Sequence, residues 1–147
     1  KLKICVAPSR KTLRNGDYME DLKLCDSDYK FMTIVWEHAP VSSGKLVKLC
    51  ADKLGWKKST TYTVIKKLCQ RGFIRNESSL VTVLVEQERC QREESDYFLE
   101  RTFGGSLPKF IAAFLGGGKT LTEQEAEEIK RMIDAHREER TNAKPER

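Results

Sequence analysis

The sequence predicts a mainly α-helical chain with one small β-hairpin, built as two parts in series, and three observations predict it. Apolar residues recur at helical spacing in three stretches of the first half and three of the second. Between them lie two short β-rich runs around a polar turn, Phe73-Ile74-Arg75 and Leu80 to Val85 on either side of Asn76-Glu77-Ser78-Ser79. The charge is also divided. Residues 1 to 75 hold 16 basic against 7 acidic side chains and residues 76 to 147 hold 11 against 15, so a basic part (+9) precedes an acidic one (−4). A basic half suits a polyanion and an acidic half suits protein or water.

Length and composition exclude several classes. The chain has 147 residues, enough for one domain or two small ones. No window approaches the ~20 consecutive apolar residues of a membrane span, so no membrane insertion is expected. The cysteines at 5, 25, 50, 69 and 90 are widely spaced, form no Cys-x-x-Cys pair and are odd in number. Reduced thiols in a cytoplasmic protein are the simplest reading. His38 and His136 have no second ligand at metal spacing, so neither a metal nor another cofactor is expected. Residues 1 to 18 are basic and too polar for a signal peptide, and are expected to be a flexible tail. That tail is either an extension upstream of a start at Met19 or a basic arm that follows phosphates.

Each element has its own start and stop. Asp26-Ser27-Asp28 supplies an N-cap and negative charge for a first helix carrying Met32, Val35, Trp36 and Ala39, which Pro40 ends. Ser42 and Ser43 cap a second, with Leu46, Val47, Cys50 and Leu54 as its stripe and Gly55 as its close. A third starts near Ser59, buries Val64, Ile65 and Leu68, and stops at Gly72. The β-hairpin follows.

Three helices and a hairpin in that order make a winged helix-turn-helix, here spanning residues 19 to 86, in which the third helix enters the DNA major groove. Residues 57 to 75 carry Lys57, Lys58, Lys66, Lys67, Arg71 and Arg75 and no acid. With Val64, Ile65 and Leu68 inward, the outer face offers Ser59, Thr60, Tyr62 and Thr63 to base edges and Lys57, Lys58, Lys66, Lys67 and Arg75 to phosphates. The expected contact set is therefore Lys57, Lys58, Ser59, Thr60, Tyr62, Thr63, Lys66, Lys67 and Arg75 on double-stranded DNA. A winged helix used as a protein-docking module is the alternative from another class.

Residues 87 to 138 read as a helical dimerisation domain, followed by a tail at 139 to 147. Tyr97, Phe98 and Phe103 precede the break at Gly104-Gly105; Leu107, Phe110, Ile111 and Phe114 form a second amphipathic stretch with Pro108 in its first turn. Thr122 to Glu125 is a capping box opening a third, with Ile129, Met132 and Ile133 on one stripe. Such short helices have little core of their own, and a second copy of the chain would cover them. Folding back on the winged part is the other solution. Gly116-Gly117-Gly118-Lys119-Thr120 approaches the phosphate-binding P-loop pattern, but a helical stretch precedes it and only 27 residues follow Thr120. A hinge between helices is the better reading, and no enzymatic activity is expected.

Leu24-Cys25-Asp26-Ser27-Asp28-Tyr29 with Met32 and Trp36, Gly55-Trp56-Lys57-Lys58-Ser59-Thr60-Thr61-Tyr62-Thr63 running to Lys67-Leu68 and Arg71-Gly72, and later Ser95-Asp96-Tyr97-Phe98-Leu99 and Phe103-Gly104-Gly105-Ser106-Leu107, together resemble the penicillinase repressor family, which includes the methicillin-resistance repressors. The resemblance covers about residues 20 to 138. It implies a homodimeric repressor on a palindromic operator that controls β-lactamase or other antibiotic-resistance genes. It further implies a membrane sensor protease whose signal leads to cleavage in the dimerisation helices. The family's cut lies between Asn and Phe in a segment matching Ala112 to Leu115, so the proteolytic site would be Ala113 and Phe114, with Ala113 where the family has Asn. The turn at 76 to 79 lacks the basic wing tip many members carry. No cysteine follows Cys90, which argues against the metal-sensing branch.

Overall fold

A computed structural model describes residues 22–142. The expected tail at 1 to 18, the two readings of it, and residues 143 to 147 lie outside the described residues. Helix α1 (Asp26–His38) is followed by a two-residue strand β1 (Val41–Ser42), helices α2 (Ser43–Leu54) and α3 (Lys58–Gln70), strands β2 (Ile74–Glu77) and β3 (Leu80–Val83), and helices α4 (Gln87–Phe103), α5 (Leu107–Gly116) and α6 (Glu123–Asn142). This is the expected mainly α chain with a small wing. The chain divides into two compact units, Lys1–Phe98 and Leu99–Arg147.

In the first unit the core forms where three helices and the sheet meet. Phe31, Met32 and Val35 of α1, Leu46 and Cys50 of α2, Leu68 of α3, and Phe73, Ile74 and Val81 of the wing are almost wholly removed from water. Phe31 also stacks on Trp56, with ring centroids 6.1 Å apart and planes nearly parallel. Trp56 thus packs at the turn before α3. Trp36 donates its indole N–H to the carbonyl of Val85 at 2.9 Å, tying α1 to the far side of the sheet.

The helix ends follow the sequence in most places. Ser42 caps α2 by accepting from the Lys45 amide at 3.2 Å, and Gly55 closes it with a φ of 67°. The N-cap of α1 differs. Cys25 occupies it with no side-chain capping bond to the helix amides, its thiol lying 3.3 Å from the Ser27 hydroxyl instead, and Asp26 and Asp28 lie inside the first turn. Asp28 is buried, not a solvent-facing complement to the dipole. Its carboxylate is claimed by α3.

The sheet has three strands in the order β1-β3-β2, all antiparallel, where a two-stranded hairpin was expected. Val41 pairs with Val81 and Ser42 with Leu80. The added strand gives the hairpin a second neighbour, which matters because an isolated two-stranded hairpin is only marginally stable in water. Asn76 and Glu77 belong to β2, so the turn is the two residues Ser78 and Ser79, both at positive φ (50° and 64°). Two central residues at positive φ are the mark of a type I′ turn, matched to the strand twist and costly for residues with a Cβ. The Ser79 carbonyl accepts from the Ser43 amide at 2.8 Å and holds that tip against the start of α2.

Helix α4 begins at Gln87, within the charged stretch, and its residues through Phe98 belong to the first unit. The division falls past residue 86 because Cys90 is fully buried in the first unit's core. Burial pushes the Cys90 thiol up to about 11, with the Glu94 carboxylate adding to the rise. The thiol's folded value thus lies above its ordinary 9.0, so its contribution to stability is present below pH 9 and is lost as pH climbs through about 11. Alkylation of the native protein near neutral pH, read by peptide mapping, is expected to modify exposed Cys25 and to spare Cys50, Cys69 and Cys90. Modification of Cys90 at the rate of Cys25 would contradict its burial.

The second unit holds the end of α4, α5 and α6. Gly104 and Gly105, at φ 58° and 75°, end α4 by returning their amides to the carbonyls of Glu100 and Leu99. That wrapped end requires left-handed backbone, which glycine adopts without penalty. Ser106 caps α5, and Pro108 occupies its first turn. Thr122 and Glu125 form the expected capping box: the Glu125 amide donates to the Thr122 hydroxyl at 3.2 Å, and Glu125 accepts the Thr122 amide at 2.9 Å. Helix α6 runs through Asn142, four residues into the stretch expected as a tail.

Candidate nucleic-acid interface

The sequence of α3 turns positions 61, 64, 65, 68 and 69 inward, with Thr61, Val64, Ile65, Leu68 and Cys69 all buried. What remains faces water. Lys57, Lys58, Ser59, Thr60, Tyr62, Thr63, Lys66, Lys67 and Gln70 are exposed along one surface of the helix and the turn before it. Eight of the nine residues of the expected contact set therefore share this surface; the ninth, Arg75, is half-buried on β2 beside it in sequence.

The charges on this surface are not equivalent. Among the described residues, Lys57, Lys58 and Lys66 have no carboxylate within ion-pair distance. Lys58 lies 6.0 Å from the centre of the Tyr62 ring, one turn along. Lys67 is different. Its ammonium sits 2.6 Å from Oδ1 of Asp28, at angles outside those of a hydrogen bond, so the contact is coulombic. Arg71 approaches the other oxygen of the same carboxylate at 3.8 Å. Arg75 pairs with Glu77 at 3.6 Å, but the Arg75 side chain keeps 43% and that of Glu77 60% of its exposure, so a phosphate could take the place of the carboxylate at little cost.

The hydroxyls are also placed differently. Thr61 is buried, donates to the Lys57 carbonyl and lies beside the Cys50 thiol, so it anchors the helix. Thr63 is exposed and donates to the Ser59 carbonyl at 2.9 Å, which fixes its hydroxyl while leaving lone pairs free to accept from a base edge. The start of α3 has no side-chain cap and no acid in its first turn. Unclaimed amides at a helix N-terminus next to Lys57 and Lys58 present a positive end, as a phosphate contact requires.

The second unit supplies a surface of the opposite kind. No residue of α5 or α6 is buried. Phe103, Phe110 and Phe114 stack edge to face and tilted at 5.5 and 6.1 Å, and Lys119 folds back to 5.4 Å from the Phe114 ring. Lys119 thus turns back onto the preceding helix from the connecting segment, and the Gly-rich segment lies between two helices. Leu107, Ile111, Phe114 and Leu115 of α5 and Ile129, Met132 and Ile133 of α6 all remain exposed. Ala113 and Phe114 lie inside α5, near its C-terminal end at Gly116. No described helix is long and apolar enough to cross a membrane, and no cluster of His, Cys, Asp or Glu among the described residues could hold a metal ion.

Sequence reasoning placed these α3 residues on an exposed face but missed Asp28 and Cys90 as buried residues. An aspartate in a first helical turn and a cysteine in a run of charges both carry the signal of solvent-facing positions.

Comparison with known proteins gives the family of the chain. The family model described as penicillinase repressor matches residues 24–135. The chain is also 24% identical over 117 residues to an uncharacterized 16.5 kDa protein in the ptsI 3′ region of Latilactobacillus sakei, covering 77% of this chain and 80% of that protein.

Proposed function

Because the chain belongs to the penicillinase repressor family of transcriptional regulators, we propose that it is a sequence-specific repressor that binds a palindromic operator as a homodimer. The observation that carries this reading is the acid-free outer face of α3, where unpaired Lys57, Lys58 and Lys66 flank exposed Ser59, Thr60 and Thr63. Cations anchor the helix on phosphates and the small hydroxyls read base edges. The apolar faces of α5 and α6 support assembly with a second copy, and two-fold symmetry then implies two half-sites about one helical turn apart. The regulated genes would be β-lactamase or other antibiotic-resistance genes, as the family resemblance suggests. Release by a membrane sensor protease, with Ala113-Phe114 as the cut, belongs to the same reading. A protein-docking role predicts no duplex binding at all.

Selection of duplexes from a random library by the full chain, followed by titration at stated salt, tests this. Thr63→Ala is expected to relax discrimination at individual base pairs by about 1–3 kcal/mol. Lys66→Ala is expected to weaken all duplexes alike and reduce the salt slope by about 0.9. Failure to enrich any duplex would remove the reading altogether.

A further inference from the structure

Residues 22–24, just before α1, lie between α3 and α4 and are held from both sides. From α4, three side chains at i, i+4 and i+7 reach this strap, on one face of the helix. The Cys90 thiol lies 3.9 Å from the Leu22 carbonyl, Glu94 accepts the Leu24 amide at 3.4 Å, and the Lys23 ammonium lies 5.0 Å from the centre of the Tyr97 ring. From the end of α3, Arg71 donates to the Lys23 carbonyl at 2.6 Å. The same guanidinium lies 3.8 Å from Asp28 Oδ2 and 4.9 Å over the Phe73 ring, and Leu24 is buried in the core. One arginine thus joins the last turn of the reading helix, the strap and the wing, and the strap joins them to the helix that runs on into the second unit.

We propose that Arg71 is a positioning residue, and that Glu94 and Tyr97 act through it, so that α4 sets how α3 presents its face to DNA without touching DNA itself. The proposal rests on the reading of α3 as the DNA-contacting helix. None of the three was in the expected contact set, and Tyr97 was expected only as a dimerisation residue. A planar guanidinium is suited to this junction because it donates in several fixed directions and stacks on a ring at the same time; lysine can do only part of that.

The test is the ratio of affinities for a duplex enriched by the wild-type chain and for a scrambled duplex of equal length. Partial unfolding lowers both affinities by the same factor and leaves the ratio unchanged, so the ratio separates positioning from simple stability. Glu94→Ala, which removes the acceptor of the Leu24 amide, Tyr97→Leu and Arg71→Lys are each expected to lower it about three- to tenfold. The double variants Arg71→Lys with Glu94→Ala, or with Tyr97→Leu, are expected to fall no further than Arg71→Lys alone, since all act on one junction. Glu94→Ala leaves the apolar residues of α4 in place and carries the test if Tyr97→Leu alters assembly. An unchanged ratio in Glu94→Ala, or losses that multiply in the double variants, would overturn the proposal while leaving α3 as the reader. A wild-type chain that enriches no duplex would instead remove the DNA reading.

Discussion

A chain carrying Ile111→Glu and Phe114→Glu is expected to sediment as a monomer and to lose about 10²–10⁴-fold in affinity for a duplex with two half-sites. Its affinity for a single half-site should not change. The two side chains are 41% and 39% exposed on α5, beside Leu107 and Leu115, at 56% and 44%. Each such apolar side chain contributes roughly 1.5–3 kcal/mol when fully buried, and a carboxylate in its place must shed its hydration with no partner. The second unit gains little from folding by itself, because none of its α5 or α6 residues is buried. In the proposed dimer the same faces would become a core against a second copy.

The large effect on DNA comes from tethering. In the proposed dimer, once one reader is on its half-site the second would bind at an effective concentration set by the linkage, an advantage a monomer lacks. Cleavage between Ala113 and Phe114 would act by the same route, since it removes α6 and the last turn of α5 from the reader. Far-ultraviolet dichroism should show the helices retained in the double variant. A variant that still sediments as a dimer would mean that assembly uses another surface.

The parts legible in the sequence are those set by local chemistry. Helical spacing, Gly55, the Ser42 cap and the Thr122–Glu125 box each act within a few residues, and the structure forms all of them. So does the outer face of α3, because three inward apolar residues suffice to orient a helix. What escaped depends on distant pairing. Strand β1 has two residues after a proline, too short for any alternation, and exists because Val41 meets Val81 forty residues later. The strap at 22–24 has no period at all and is held by residues of α3 and α4. Asp28 looked like an ordinary first-turn acid, and only the folded chain brings Lys67 and Arg71 to it.

That last contact changes what Lys67 is expected to do. Lys67→Met is expected to lower stability by about 2 kcal/mol, below the 3–5 typical of breaking a buried pair, since Lys67 is itself 45% exposed and Arg71 still faces the carboxylate. The cost arises because Asp28 stays 2% exposed with one cation fewer to compensate it. Asp28→Asn combined with Lys67→Met removes both charges together and should recover much of the loss. The double variant also has the wild-type net charge, which separates two roles for the lysine. If Asp28 already neutralises Lys67, the salt slope of duplex binding stays at the wild-type value in the double variant, while Lys66→Ala lowers it by about 0.9. If Lys67 swings away to meet a phosphate, the double variant loses the same amount as Lys66→Ala. An equal loss in both variants would keep Lys67 in the contact set and leave Asp28 partnered in the complex by Arg71.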